Sequence, residues 1–405
     1  MSLTGPRSQR TLVLALLCVA SFAVVFNNLI ITPILPEISE DFGVRVAVAG
    51  LLVTAYAVAG GIAAVFSGPF IDRLGRKPVV VAGMATLTVA TVFSAAAPGF
   101  VPLMLARAMA GLGVACLTPA VFAAVGDYFS YEERGRAMSW VISANTSASI
   151  FGVPAGAVLS GVFSWRWTFV ALAGLLVVFT WLLFRKLPAD PPRRADGRAG
   201  SGMAAIPRVL RDLPTSAALF SNYLSTSYWF VFATYMGAYF HDEFGVAKWA
   251  LGGLTMTMGL GVLLGSNAGG RLADRVGKRP VILWTSLTCA VFIALTTTAA
   301  VAMAVGLGFL FLFAVSGGAR FASSQAIMTE MSPDDRGTVM ALNAAGQQFG
   351  IVTGSVVGGL ALEAGGYTAL GPTAAALALV SMAMYGLFVE ERGPAGAGRG
   401  ELAAE

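Results

Sequence analysis

The stretch Gly68-Pro69-Phe70-Ile71-Asp72-Arg73-Leu74-Gly75-Arg76-Lys77-Pro78 returns later in the chain as Gly270-Arg271-Leu272-Ala273-Asp274-Arg275-Val276-Gly277-Lys278-Arg279-Pro280. The two copies are offset by 202 positions. At the same offset, Glu40-Asp41-Phe42-Gly43-Val44 returns as Asp242-Glu243-Phe244-Gly245-Val246, and Arg134-Gly135 returns as Arg336-Gly337. The sequence therefore predicts that one half of the chain is a copy of the other. The copied pieces are short charged segments between long apolar runs, which indicates that the duplicated unit is a membrane bundle.

The composition supports a membrane protein. Only 12% of the residues are charged and 57% are hydrophobic, whereas about a quarter of an ordinary soluble domain is charged. Residues 11–36, 46–71 and 213–241 contain no Asp, Glu, Lys or Arg, and each run exceeds the roughly 20 residues that a spanning helix needs. Continuous apolar runs exclude the alternating pattern of a membrane barrel. We predict an all-α membrane protein with twelve transmembrane helices in two pseudo-symmetric six-helix bundles.

The twelve predicted spans are numbered in chain order. Spans 1 to 5 cover residues 12–33, 46–67, 79–97, 101–125 and 137–163, and span 6 follows residues 165–169 and ends before Arg185. Spans 7 to 12 cover 215–240, 249–268, 281–300, 303–328, 339–363 and 369–388. The N-terminal bundle is predicted over 1–186, a cytoplasmic linker with a short surface helix near 203–210 over 187–211, the C-terminal bundle over 212–390 and a disordered cytoplasmic tail over 391–405.

The placement of the basic residues predicts the orientation. The net charge of +5 could indicate a nucleic-acid partner, but the cations lie in alternate loops, and the opposite loops carry only Arg45, Arg166 and Lys248. By the positive-inside rule, both termini and the linker are cytoplasmic. We therefore expect a multi-pass protein of the cell membrane whose macromolecular environment is the lipid bilayer and not a nucleic acid. We also expect a monomer.

The repeated loop has a chemistry of its own. Two helices joined by a few residues need a tight turn, so Gly75 and Gly277 are predicted to take a positive φ. Pro78 and Pro280 suit the first turn of the following helix. A carboxylate followed by several cations can form ion pairs in one conformation and lose them in another. The alternative is a simple turn whose charges only set the topology.

The loop pattern Gly-x-x-x-Asp-Arg-x-Gly-Arg/Lys-Lys/Arg resembles the cytoplasmic loop signature of the major facilitator superfamily. The chain is most similar to its twelve-span drug:proton antiporter branch, with its sugar and metabolite efflux relatives, over about residues 10 to 390. Span 4 adds the family's pattern as Arg107-Ala108-Met109-Ala110-Gly111-Leu112-Gly113. Span 5 departs from the branch's Gly-Pro dipeptide, with Gly152-Val153-Pro154-Ala155-Gly156, and this departure is closer to the sugar-efflux relatives.

The resemblance implies a gating network at the cytoplasmic face. In the family, the first-copy aspartate and arginine link to an acid at the cytoplasmic end of span 4, and this network stabilises the outward-facing state. Asp72, Arg76 and Asp127 match those positions, and Glu330 lies one residue from the repeat equivalent of Asp127. The predicted gating and bending residues are Asp72, Arg73, Gly75, Arg76, Asp127, Arg134, Gly152, Pro154, Gly156, Asp274, Arg275, Gly277, Lys278 and Glu330.

Ionisable residues inside spans are candidates for function because they are costly in lipid. Arg107 and Arg320 each could meet an anionic substrate group, or could be paired permanently inside the protein. No carboxylate is predicted at mid-membrane, and span 1 offers Asn27 and Asn28, whose amides cannot carry a proton. Proton coupling would then use Asp72, Asp127 or Glu330, or the outer acids, which are Glu37, Glu40, Asp41, Asp242 and Glu243.

The family places its substrate cavity between the bundles, lined by spans 1, 4, 5, 7, 8, 10 and 11. Aromatic residues with a few amides would hold a lipophilic, partly polar molecule. They could equally pack against lipid or neighbouring helices. The candidates are Asn27, Asn28, Arg107, Asn222, Tyr223, Tyr228, Trp229, Tyr235, Arg320 and Gln347.

These features and the resemblance predict a secondary transporter that exports small lipophilic drugs or metabolites by alternating access. The resemblance implies that export occurs in exchange for protons. The alternatives are export of a sugar or polar metabolite, a facilitator without proton coupling and, from another class, a membrane sensor that does not transport. The sequence shows no nucleophile-base constellation, metal cluster or phosphate loop, so we expect neither an enzyme nor a resident cofactor.

Overall fold

The computed structural model describes residues 7–129, 131–188, 201–331 and 336–389. The side chains of Asp72, Arg73, Asp127, Arg134 and Glu330 lie outside the described part, as do residues 189–200 of the predicted linker and 390–405 of the predicted tail. The expectations for these residues therefore stay predictions.

The N-terminal half forms nine α-helices in its described residues. They are α1 (Arg7–Leu29), α2 (Ile31–Phe42), α3 (Val46–Ala49), α4 (Leu51–Leu74), α5 (Arg76–Ala95), α6 (Phe100–Tyr128), α7 (Tyr131–Ser147), α8 (Val153–Val162) and α9 (Trp165–Lys186). A π-turn, Ala148–Gly152, joins α7 to α8. Spans 1 to 6 are, in order, α1 with α2, α3 with α4, α5, α6, α7 with α8, and α9.

The second half repeats this plan after a short connecting helix, α10 (Ser201–Arg211), which lies where a surface helix was predicted. Spans 7 to 12 are formed by α11 (Leu213–Ala233) with α12 (Met236–Phe244), α13 (Gly252–Val276), α14 (Lys278–Thr298), α15 (Met303–Glu330), α16 (Arg336–Gly365) and α17 (Leu370–Phe388). Short 3-10 turns, Lys248–Ala250 and Tyr367–Ala369, precede α13 and α17.

Ten helical segments of the described chain are long and apolar enough to cross a membrane. The other two predicted spans are α11 with α12, and α16. Both are rich in hydroxyl and amide side chains, and α11 and α16 pack along each other, while α16 also packs along α4 of the other half. Their polar side chains face protein, so they need less apolar surface than helices that face lipid. The twelve-helix, two-bundle prediction is confirmed.

The repeat is visible in the backbone. Gly75 and Gly277 take φ values of 94° and 95°, and each precedes a helix that has its proline in the first turn. Gly43 and Gly245 take φ values of 62° and 65° and end α2 and α12 with left-handed caps. These conformations favour glycine because it has no Cβ. The predicted positive φ at Gly75 and Gly277 is confirmed.

Two predicted boundaries were wrong. Span 1 does not end at Pro33, because α2 continues through Pro33 to Phe42. Pro33 is tolerated since it lies in the first turn of α2, where its missing N–H leaves no helical bond unmade. Span 7 is not continuous to residue 240, because the chain turns at Thr234 and Tyr235 between α11 and α12.

Candidate functional site

A cavity of about 220 Å³ lies between the two bundles. Spans 1 and 5 form one wall, and spans 7 and 8 form the other. All thirteen lining residues are uncharged, and most are apolar. They are Val25, Leu29, Thr32, Asn145, Thr146 and Ser149 from the first bundle, and Trp229, Ala233, Met236, Thr255, Met258, Gly259 and Val262 from the second.

Local packing holds the aromatic wall of this cavity in place. The ring of Trp229 stacks on Phe313 with a centroid distance of 4.8 Å. A Cβ at Gly317 would lie 2.4 Å from the Trp229 ring, so a larger residue there would displace the indole. On the opposite wall, Asn145 Oδ1 is buried and has no hydrogen-bond donor in the described part of the chain. The cavity thus has a flat apolar surface on one wall and a buried, unsatisfied acceptor in the other.

The bundles meet closely on the side opposite the predicted cytoplasmic loops, which we call the outer side. Glycines allow this approach: a Cβ at Gly252 would lie 2.4 Å from Pro154 Cα, and one at Gly161 would lie 2.5 Å from Trp249 N. The Tyr235 hydroxyl donates to the Ser355 carbonyl of its own bundle at 2.8 Å. It also lies against the first bundle, where a Cβ at Gly50 would lie 2.2 Å from its oxygen. The outer side of the cavity is therefore closed.

Two ion pairs also join the bundles at the outer side. Arg45 Nη1 lies 2.7 Å from Glu363 Oε1, and Lys248 Nζ donates to Glu40. A third pair, Arg166 with Asp41 at 2.6 Å, stays within the first bundle. The Arg166 hydrogen bond holds the pKa of Asp41 below its usual range.

Arg107 lies inside the first bundle and not on the cavity. Its side chain is fully buried, and its Nη1 donates to Asn27 Oδ1 at 2.7 Å. Asn27 in turn donates to Thr91 at 3.0 Å, and the guanidinium lies 4.8 Å from the centroid of the Tyr56 ring. Arg107 Nε and Nη2 and the Tyr56 hydroxyl have no hydrogen-bond partner among the described residues.

Arg320 lies inside the second bundle in a cradle of hydroxyl groups. Its Nε donates to Ser286 Oγ at 2.8 Å, and its Nη2 donates to the Oγ atoms of Ser221 and Ser381, each at 2.9 Å. These serines come from spans 9, 7 and 12. The arrangement matches a permanently paired arginine that holds helices together.

Most of the other candidate substrate residues are also bonded or packed within the second bundle. Asn222 Nδ2 donates to Asn343 Oδ1 at 2.9 Å, Tyr223 bonds Thr353 at 2.7 Å, and Tyr228 packs against Phe313. Asn28 and Gln347 are half-buried on α1 and α16. Of the ten side chains proposed from the sequence, Trp229 is the one that lines the cavity.

The predicted gating residues divide into two groups. Gly152 and Gly156 in span 5 pack against span 1, where a Cβ would lie 2.8 Å from Phe22 and 2.5 Å from Ile30. The π-turn ends at Gly152, two residues before Pro154, whose missing N–H interrupts the helical ladder. In the loop copies, Asp274 and Arg275 are exposed, and Arg76 and Lys278 are half-buried.

Sequence reasoning missed the polar residues of span 5 and span 8 in the cavity wall, such as Asn145, Ser149 and Thr255. The signal was weak because single hydroxyl and amide groups occur on many spanning helices. The π-turn that directs this part of span 5 has no sequence pattern of its own. The sequence feature that could have indicated an irregular helix in this part of span 5 was Pro154.

Comparison with known proteins identifies the family. The sequence profile of the Major Facilitator Superfamily matches residues 17–302 and 215–403. The chain is 28% identical over 383 residues to the uncharacterized MFS-type transporter YwfA of Bacillus subtilis (strain 168), covering 92% of this chain and 91% of that protein. It is 30% identical over 165 residues to the chloramphenicol resistance protein CraA of Acinetobacter baumannii, covering 41% of this chain and 40% of that protein.

The fold has solved counterparts. A bacterial homolog of the human lysosomal transporter Spinster, in an inward-facing and occupied conformation, superposes with a TM-score of 0.78 at 16% identity and covers 95% of this chain and 97% of that chain. The duplicated bundles and the cavity between them are consistent with this family. The sequence profile also matches both halves of the chain. The chain belongs to the Major Facilitator Superfamily and is a multi-pass membrane transporter of small molecules.

Proposed function

We propose that this transporter exports small lipophilic compounds that carry a few polar groups, through the cavity between its bundles and in exchange for protons. The observation that carries the proposal is the cavity itself, whose walls are uncharged and combine apolar side chains with the Trp229 ring. An apolar pocket with few polar groups suits a lipophilic ligand. One relative is named for resistance to chloramphenicol, and a transporter confers resistance when it moves the compound out.

Alternating access follows from the closed outer side. In this state the contacts at Gly252, Gly161 and Tyr235 join the outer halves of the bundles. Export requires that these contacts break and that the cytoplasmic side closes instead. The loop residues Asp72, Arg76 and Asp127 then form the cytoplasmic closure, and both termini lie in the cytoplasm of a monomer in the cell membrane.

The proton binds outside the cavity in this proposal, since none of the thirteen lining residues can titrate near neutral pH. The carboxylates available in the described chain near the cavity lie at the outer helix ends, with Glu37 bonded to Ser160 and to the Trp165 backbone N–H. A second candidate function is export of a sugar or polar metabolite without coupling. The hydroxyl groups of Thr32, Ser149 and Thr255 in the wall favour it.

The test is transport by purified protein in proteoliposomes under an imposed proton gradient, with a pH dye inside and a panel of neutral lipophilic compounds and sugars. Compound-dependent proton flux for a lipophilic compound is expected. Movement of the compound without proton flux would support export but contradict its coupling to protons. Movement of sugars alone would favour the second function.

Two variants test whether the cavity between the bundles is the transport path. Trp229→Ala removes the aromatic wall and is expected to lower transport at least severalfold. Trp284→Ala is the matched control, because Trp284 is 68% exposed on the protein surface and its loss should leave transport unchanged. Equal transport by Trp229→Ala and wild type would contradict the cavity as the path.

The gating loop is tested by Asp72→Asn, which removes one charge at nearly constant shape. Transport should fall while expression and membrane insertion stay normal. Wild-type transport rates in a well-inserted Asp72→Asn protein would argue against a gating role for this loop.

A further inference from the structure

Among the described residues, each bundle has one fully buried arginine, and no described acid is hydrogen-bonded or ion-paired with either of them. Arg107 is 0% exposed and Arg320 is 1% exposed. Their hydrogen-bond acceptors in the described chain are the Asn27 amide for the first arginine and serine oxygens for the second. A buried charge is normally paired with its opposite. Here neutral dipoles solvate both positive charges, so the interior keeps a net positive charge.

The one acid on the helix of each arginine lies far from it along the backbone. Asp127 follows Arg107 by 20 residues on α6, which is a rise of about 30 Å at 1.5 Å per residue. Glu330 follows Arg320 by 10 residues on α15, or about 15 Å.

Arg107 is close enough to the cavity for its charge to interact electrostatically with a charged ligand there. Val25 and Leu29 line the cavity from one face of α1. Asn27 lies about 200° around the helix from Val25 and holds Arg107 on the opposite face. The guanidinium is therefore separated from the cavity by one helix, or about 10 Å.

Arg320 approaches the cavity from the other bundle. Gly317 lies three residues before it on α15 and packs directly under the Trp229 ring that forms the cavity wall. One helical turn is about 5 Å. Arg320 thus lies about one helical turn from the residue under the aromatic wall, and the two cations flank the cavity from its two sides.

The acids near the outer end of the cavity do not cancel this charge. The Glu37 carboxylate accepts the backbone N–H of Trp165 at 2.8 Å, at the first residue of α9, where the helix dipole offsets its charge. Glu40 and Glu363 are paired with Lys248 and Arg45.

We propose that the two buried arginines make the cavity selective by charge, so that it transports lipophilic organic anions in preference to organic cations of the same shape. The inference rests on the proposed function and adds the charge class of its substrate. A unit charge about 10 Å from another, at an effective dielectric constant of about 20, changes an equilibrium by roughly tenfold or more. An anion gains this factor and a cation loses it.

The experiment uses three compounds on one naphthyl-propyl skeleton, namely the carboxylic acid, the primary amide and the primary amine. Their uptake by inside-out proteoliposomes is compared with the membrane potential held at zero by valinomycin and equal potassium concentrations, and the uptake of protein-free liposomes is subtracted. The wild-type protein should transport the acid at least tenfold better than the amine, with the amide between them.

Asn27→Asp supplies the missing counter-charge at the atom that Arg107 already contacts, with almost no change in shape. It should lower the acid-to-amine ratio by about a hundredfold, because the anion loses a factor of about ten and the cation gains one. Asn267→Asp makes the same chemical change at an exposed site whose side chain contacts only the Leu263 carbonyl, and should leave the ratio as in wild type. If Asn27→Asp does not fold, Arg107→Gln removes the same charge and should shift the ratio in the same direction.

The outcomes separate this inference from the proposed function. Transport of the amide with equal transport of acid and amine, or a ratio unmoved by both Asn27→Asp and Arg107→Gln, overturns charge selection while leaving export intact. Transport of the amine in preference to the acid also overturns it. Failure to move any lipophilic compound overturns the proposed function itself, and charge selection with it.

Discussion

Polar side chains are arranged differently inside the bundles and between them. Inside the second bundle, Arg320 is 1% exposed and hydrogen-bonded to serines from three other spans. Between the bundles, the Arg45 and Glu363 side chains that pair at the outer side are 75% and 37% exposed. Close approach of the two backbones there is made at glycines such as Gly252.

This difference explains how the bundles can move as units. Breaking the Arg320 cradle would leave a buried charge and buried hydroxyls without partners, which costs several kcal/mol. Separating the outer contacts exposes ion pairs that water can replace, and it frees backbone surfaces that glycine brought together. The free energy therefore favours motion at the interface over rearrangement within a bundle.

The largest effect is expected from Arg320→Met. The substitution keeps the apolar stem but removes the donors to Ser286, Ser221 and Ser381, so the unfolding free energy should fall by about 3 kcal/mol. Thermal and denaturant unfolding of purified protein measure this loss. Ser286→Ala, which removes one of the acceptors, should cost about 1 kcal/mol. A fully stable Arg320→Met protein would show that the cradle does not hold the bundle together.

The next effect is expected at the interface and should alter conformation more than stability. A Cβ at Gly252 would lie 2.4 Å from Pro154 Cα, whereas a Cβ at the adjacent Gly253 would have nothing within 4 Å. Gly252→Ala should disfavour the outer-closed state by about 2 kcal/mol, and Gly253→Ala should not. Spin-label distances between the outer ends of α2 and α13 report the change. Identical distance distributions for the two variants would contradict the glycine-dependent closure.

The sequence predicted the architecture well because its signals were repeated and local. The two copies of one charged turn revealed the duplication. The glycines in them, Gly75 and Gly277, predicted the positive φ that the backbone takes at each copy. The cavity was harder to predict. Asn222 and Tyr228 have the residue types of a binding site, but long-range packing turns them toward their own bundle, and single-sequence periodicity contains no information about that rotation.

A smaller stability effect is expected for Arg107→Met than for Arg320→Met. The change removes one bond to Asn27 but also removes a buried charge whose Nε and Nη2 have no partner in the described chain. The net loss should be about 1 kcal/mol. The same unfolding measurements compare the two arginines directly. A loss as large as that of Arg320→Met would mean that Arg107 is as firmly paired as Arg320, and the contrast between the two sites would disappear.

The smallest effect is expected for the exposed cross-bundle pair of Lys248 and Glu40, whose side chains are 33% and 59% exposed. Such pairs contribute less than about 1 kcal/mol, and at about 1 M salt the Debye length falls to about 3 Å. Lys248→Ala should therefore shift the outer distance distribution slightly at low salt and not at high salt.

Arg166→Ala is the matched control for this pair. Arg166 and Asp41 are similarly exposed, at 36% and 41%, but both belong to the first bundle. Its loss should leave the distance between the bundles unchanged at every salt concentration. A salt-independent shift in Lys248→Ala, or an equal shift in Arg166→Ala, would contradict an electrostatic contribution of the cross-bundle pair to the closure of the outer side.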